Sequence, residues 1–112
     1  MIKKKVLSPD RIRSTGKRFS FIPHRFLTGG FLETLSAEEL VLYIFLVLAS
    51  DRNGVSFYGD DRICAMLHLK NEIYQQARHG LIRKDLIVYD DTLFQVLSLP
   101  THPLGPYNRG DR

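Results

Sequence analysis

The stretch that follows Ser36 limits the possible folds of this chain more than any other feature. Glu39 follows Ser36 after three residues, the spacing of a capping box, in which each side chain accepts a hydrogen bond from the other residue's backbone N–H. An unbroken apolar run of ten residues then extends from Leu40 to Ala49. This is about half of the roughly 20 residues that a helix needs to cross a bilayer. The pattern therefore predicts a buried helix from Ser36 to about Ser50 and no membrane span.

This predicted helix is apolar on every face, whereas a surface helix of a small domain has one apolar stripe. Its second face must therefore be covered. The segment around Phe26 and Phe31 is one candidate, with Pro23 suited to the first turn of a helix and Gly29-Gly30 expected to end it. A second copy of the chain is the other candidate, and we favour a homodimer.

Turn residues and apolar spacing predict the elements that follow. They are a turn at 51–54, a strand at 55–58, a helix capped by Asp60 with Ile63, Met66 and Leu67 on one face, a tight turn at 68–70, a helix from Asn71, its cap, to Lys84, and a hairpin of strands 86–89 and 93–97. In the last helix, Ile73, Ala77 and Leu81 form the predicted buried stripe. The outward residues are then Glu72, Gln75, Arg78 and His79. The aromatic side chains expected in the core are Tyr43, Phe45, Phe57 and Phe94, with Tyr74 and Tyr89 at the edge of the outer face.

Basic residues are concentrated in the first 25 residues, before the predicted helices and strands. Residues 1–25 carry eight lysines and arginines against Asp10 alone, a net charge of +7, while residues 26–97 carry six basic and ten acidic side chains, a net charge of −4. Residues 1–22 lack apolar periodicity apart from a short alternating stretch at 19–22, so we predict a flexible basic arm at 1–22, one domain at 23–99 and a disordered tail at 100–112. Lysine and arginine neutralise nucleic-acid phosphates, so the arm is a candidate phosphate-binding segment.

Other features bear on location and chemistry. Cys64 is the single cysteine and no signal peptide follows Met1, so we expect a cytoplasmic protein. Cys64 and His68 are spaced as a helical pair, but a zinc site needs three or four ligands, and we expect no metal. The adjacent carboxylates at 60–61 and 90–91 fit a cap and a turn, and Gly29-Gly30 lacks a phosphate-loop context. We therefore expect neither an enzyme nor a cofactor, and no small-molecule substrate.

The predicted order of helix, short strand, helix, tight turn, helix and hairpin resembles the winged helix-turn-helix domains of replication-initiator-like proteins and small transcriptional regulators. The resemblance covers Ser36 to Leu97 and rests on these positions: Asp51–Gly54, Val55–Phe57, Ile63–Leu69, and Leu81 with Lys84–Ile87. It implies a mainly α fold with a small β-hairpin, and a role in binding double-stranded DNA for transcription regulation or for a replication or mobile-element process.

The resemblance also implies a recognition helix at 71–84, whose side chains enter the major groove. Gln75, Arg78 and His79 would then reach the base edges. The remaining DNA-contacting candidates are Lys70, Asn71 and Tyr74 on the helix and Lys3, Lys4, Lys5, Lys17 and Arg18 on the arm. Glu72 and the acidic turn at 90–91 depart from the pattern, since carboxylates repel phosphate. The alternative function is a protein-interaction or dimerisation module without DNA readout.

Overall fold

The computed structural model describes residues 7–11 and 19–104 of the chain. Within them the protein is mainly helical, with four α-helices and one small three-stranded antiparallel sheet. The α-helices are α1 (Arg25–Thr28), α2 (Ala37–Ala49), α3 (Asp60–Leu67) and α4 (Asn71–Arg83), and the strands are β1 (Val55–Ser56), β2 (Ile87–Tyr89) and β3 (Phe94–Val96). Short 3-10 turns occupy Pro9–Arg11 and Leu32–Thr34.

Helix α2 is the central element and begins as the sequence predicts. The Ser36 Oγ accepts a hydrogen bond from the Glu39 N–H at 3.1 Å, and the Glu39 carboxylate accepts one from the Ser36 N–H at 2.9 Å. The predicted capping box is therefore confirmed, and so is the helix that follows it. Its buried side carries Leu42 and Leu46, both fully enclosed in the core.

The second face of α2 is covered only in part. Phe26 stacks on Tyr43 with 5.0 Å between ring centroids, and Phe31 is buried beside it, so the N-terminal segment does pack against α2. A narrow stripe remains open to solvent, because Val41, Ile44 and Leu48 keep 42%, 40% and 67% of their surface exposed. Gly29 ends α1, as predicted.

The sheet brings the strand after α2 together with the hairpin after α4. Its order is β1-β3-β2, with Gln95 of β3 opposite Val55 on one side and Val88 on the other. Gly54 makes the first pairing possible, because its φ is +83° and a Cβ there would lie 2.6 Å from the Val96 carbonyl oxygen. The predicted hairpin is confirmed, whereas the predicted strand at 55–58 is shortened to two residues.

Two predicted helix caps are wrong. The N-cap of α3 is Gly59 and not Asp60, and the N-cap of α4 is Lys70 and not Asn71. Neither N-cap residue makes a side-chain capping bond. Asp60 is instead the first helical residue, where its carboxylate accepts a hydrogen bond from the Tyr74 hydroxyl at 2.6 Å. Asp60 therefore contacts Tyr74 of α4 and does not form the predicted capping bond at the start of α3.

Several burial predictions are also wrong. Tyr74 is fully buried, whereas Ile73 is 36% exposed, so the buried stripe of α4 is Tyr74, Ala77 and Leu81. Phe57 is 70% exposed because it lies beyond the end of β1, and Met66 is half exposed on α3. The alternating stretch at 19–22 forms no strand.

Candidate nucleic-acid interface

The outer face of α4 is set by its buried stripe. With Tyr74, Ala77 and Leu81 turned inward, the helical repeat directs residues three and four apart on the opposite side to solvent. This outer face, the α4 face, consists of Glu72, Gln76, His79 and Arg83, all exposed. Of the predicted base readers, only His79 belongs to it, and Gln75 lies at its margin, half-buried.

Arg78 does not point outward, and that prediction is wrong. Its side chain is only 13% exposed, and its Nη1 lies 3.5 Å from the Asp60 Oδ1. The guanidinium also stands over the rings of Tyr89 and Tyr74, with 4.4 Å and 5.3 Å to their centroids. A guanidinium between aromatic faces and a carboxylate is held by cation–π attraction and charge. Arg78 therefore joins α4 to α3 and the hairpin.

Tyr74, also a predicted DNA contact, is withdrawn from the surface. It has no exposed surface, and its hydroxyl donates to Asp60. Burial, reinforced by the hydrogen bond to the Asp60 carboxylate, raises the pKa of this tyrosine well above its ordinary value. The phenol is therefore a neutral donor near pH 7. Because the side chain is fully buried, the prediction that Tyr74 contacts DNA is wrong.

The start of α4 is accessible. Lys70, the N-cap residue, and Asn71, the first helical residue, are both exposed. Between them and α3, His68 adopts a left-handed conformation with φ 58° and ψ 43°, which makes the predicted tight turn between the two helices. The structure thus presents the first turn of α4 to solvent with a lysine and an asparagine.

Sequence reasoning missed Gln76 and Arg83. Together with His79 they line a groove of about 500 Å³ between α4 and the start of α2, where Glu38 and Ile73 also contribute. Helical periodicity would have predicted both residues from the correct buried stripe, because a stripe that starts at Tyr74 instead of Ile73 moves the outer face by one residue. The sequence pattern places Tyr74 at the edge because it takes Ile73 as the buried residue, and Asp60, the polar partner of the buried Tyr74 hydroxyl, is distant in sequence.

The hairpin turn carries the acidic residues that the sequence placed there. The Asp90 carboxylate accepts from the backbone N–H groups of Thr92 and Leu93 at 3.0 and 2.7 Å, and these bonds, that of Leu93 first, lower its pKa. Asp91 has φ +76° and completes the turn. This end of the hairpin therefore keeps a negative charge at neutral pH.

The arm residues Lys3, Lys4, Lys5, Lys17 and Arg18 lie outside the described residues. Arg25, the last of the eight basic residues of 1–25, has a structural role. It donates 2.9 Å hydrogen bonds to the carbonyl oxygens of Leu99 and Pro100, and its guanidinium stands 5.2 Å from the centre of the Phe31 ring. Arg25, which lies outside the predicted arm of 1–22, thus contributes its charge to contacts inside the fold.

Residues 7–11 and 19–104 contain neither a metal-binding cluster nor a membrane-spanning helix. No group of three His, Cys, Asp or Glu side chains there is arranged to hold a metal ion. None of the helices in that part of the chain is long and apolar enough to span a bilayer. Comparison with protein-family models, with curated proteins and with solved structures gives no match to this chain.

Proposed function

We propose that this protein is a winged helix-turn-helix module that binds double-stranded DNA through the α4 face. The observation that carries the proposal is the position of β1, which lies between α2 and α3 in sequence and pairs with β3 in the order β1-β3-β2. In this layout α3, the turn at His68 and α4 correspond to a helix-turn-helix, whose second helix enters the major groove.

The side chains of the α4 face suit base edges. A glutamine amide makes paired hydrogen bonds to adenine, arginine does so to guanine, and a glutamate accepts from the cytosine amino group. Gln76, Arg83 and Glu72 supply these three groups, and His79 lies among them. Lys70 and Asn71 lie at the exposed start of α4, and we expect their side chains to contact a DNA phosphate.

Affinity in this proposal comes from the basic arm. Because residues 26–97 have a net charge of −4, the folded region by itself is poorly suited to a polyanion. Lys3, Lys4, Lys5, Lys17 and Arg18 supply the phosphate contacts, and the acidic hairpin turn stays away from the DNA backbone. A cytoplasmic regulator or replication accessory protein is the corresponding biological class.

The test is fluorescence anisotropy with the full chain, on a random duplex and on a duplex selected from a random pool. Gln76→Ala is expected to weaken binding to the selected duplex by about 5- to 150-fold, the effect of one good base contact, and to leave random DNA nearly unchanged. Gln95→Ala is the matched control, since Gln95 is also exposed but lies on β3. Replacing Lys3, Lys4 and Lys5 by alanine should weaken both duplexes and reduce the salt slope by about 3.

Two results would contradict the proposal. Equal effects of Gln76→Ala and Gln95→Ala would remove the α4 face from DNA readout. Absence of salt-dependent binding by the full chain would remove the function itself.

The second candidate function is a protein-interaction module, and the acidic hairpin favours it. Phe57 and Asp91 border a shallow pocket of about 240 Å³ between the start of α3 and the hairpin. An exposed aromatic ring beside carboxylates suits a basic protein segment better than a nucleic acid.

A further inference from the structure

We infer that the open stripe of α2 is a self-association surface, on which a second copy of this chain packs its own α2 in the antiparallel direction. The stripe, here the α2 seam, consists of Ala37, Val41, Ile44 and Leu48, which are all exposed. It is separate from the α4 face, so this inference goes beyond the proposed function and does not depend on it.

The spacing of the α2 seam is the first argument. Its residues are separated by four, three and four positions, the pattern by which the seam residues of one helix fit between those of a neighbouring helix at a shallow crossing angle. The seam runs the length of α2, about 20 Å for a helix of this size. Leu48, at 67% exposed, is a large apolar side chain in water in a monomer.

Charge complementarity identifies the occupant and its direction. Glu38 lies beside the seam at the start of α2, and Arg52 follows the end of the helix, with both residues exposed. In an antiparallel pair in which Val41 meets Leu48 of the partner subunit, Glu38 lies opposite the turn that follows the partner's helix, next to Arg52 of the partner subunit. A parallel pair would instead place the two copies of Glu38 together. Asp51 lies in the same turn, where its carboxylate accepts from the N–H groups of Asn53 and Val55, and its charge opposes part of this attraction.

The size of the surface sets the expected strength. A stable interface buries roughly 800 Å² on each partner, more than a single seam of about 20 Å provides. We therefore expect a weak dimer that forms in the micromolar range or above. DNA binding at two sites on one duplex would then bring two copies together.

Sedimentation velocity of the full chain, from low-micromolar to near-millimolar concentration, tests this inference. The wild-type mass is expected to rise toward that of a dimer, and Ile44→Lys is expected to stay monomeric throughout. Val88→Lys is the matched control, since Val88 is an exposed apolar residue on β2. Circular dichroism shows whether each variant folds. A wild-type monomer at every concentration, or a dimer that survives Ile44→Lys, would overturn the inference.

Charge exchange tests the antiparallel direction. Glu38→Arg and Arg52→Glu should each weaken the dimer by about tenfold, because attraction becomes repulsion at two symmetric positions. The double variant should recover the wild-type association. Failure of the double variant to recover it, while both single variants weaken the dimer, would refute the antiparallel arrangement. If the wild type is monomeric and Ile44→Lys lowers its melting temperature, the seam is covered by the same chain, which also overturns the inference.

Discussion

Replacing Gly80 by alanine should destabilise this protein, although the same change in an ordinary helix interior is stabilising. A Cβ at position 80 would lie within van der Waals overlap of the Glu39 Oε2 and 2.8 Å from its Cδ. Glu39 has no room to yield without loss, because its Oε1 accepts from the Lys84 Nζ at 2.5 Å, and both side chains are more than nine-tenths buried. The Lys84 Nζ also donates to the Thr34 carbonyl oxygen at 2.7 Å.

Two opposing terms give the size of the effect. Alanine is more favourable than glycine in a helix by about 0.8–1.0 kcal/mol. Displacing the Glu39 carboxylate leaves the Lys84 ammonium buried without its counter-ion, which costs about 3–5 kcal/mol. The Gly80→Ala variant should therefore lose about 2–4 kcal/mol of unfolding free energy. This loss is a large share of the unfolding free energy of a typical domain, which is about 5–15 kcal/mol.

Denaturation in urea, with linear extrapolation to water, measures the effect. Gly59→Ala is the matched control, since a Cβ at position 59 meets no atom within 4 Å and its φ of −67° suits alanine, so its unfolding free energy should rise by up to about 1 kcal/mol. In the background Glu39→Ala/Lys84→Met, which removes both charges, Gly80→Ala should become stabilising by up to about 1 kcal/mol. A stabilising Gly80→Ala in the wild-type background would refute the assignment of Gly80 to the space occupied by Glu39.

Two further predictions concern the contacts around α3. The folded protein raises the pKa of Tyr74 above its ordinary 10.0. As the pH rises through 10, the Tyr74 hydroxyl therefore ionises in the unfolded chain before it does so in the folded protein, and the unfolding free energy falls. Tyr74→Phe should show a smaller fall in unfolding free energy between about pH 9 and pH 11 than the wild type, and an equal fall would contradict the burial of that hydroxyl. His68→Gly relieves a left-handed residue and should raise the unfolding free energy by about 0.5–1 kcal/mol in the same urea assay, whereas a decrease would mean that the histidine side chain makes a contact of its own.

The backbone plan could be predicted from the sequence because its signals are local. The capping box at Ser36 and the turn at Asp51–Gly54 act within a few residues, and each is found where it was predicted. The hairpin around Asp90 is another local signal. The β1–β3 pairing is the exception, since nothing near Val55 indicates that its partner is Gln95.

The candidate site could be predicted only in part, because its orientation depends on contacts between distant residues. The sequence pattern places Arg78 on the outer face because it predicts Ile73, Ala77 and Leu81 as the buried stripe of the helix. In the fold Asp60 supplies a counter-charge from 18 residues away, and Tyr89 supplies an aromatic face from the hairpin. These partners turn Arg78 inward, and Gln76 and Arg83 then occupy the outer face.

The bonds from Arg25 to Leu99 and Pro100 bring the beginning and the end of the folded region side by side. The segments before residue 25 and after residue 100 therefore leave the domain from neighbouring points on its surface. A group attached at residue 25 therefore lies next to a group attached at residue 100. A ligand bound beside Arg25 would consequently also lie beside Pro100.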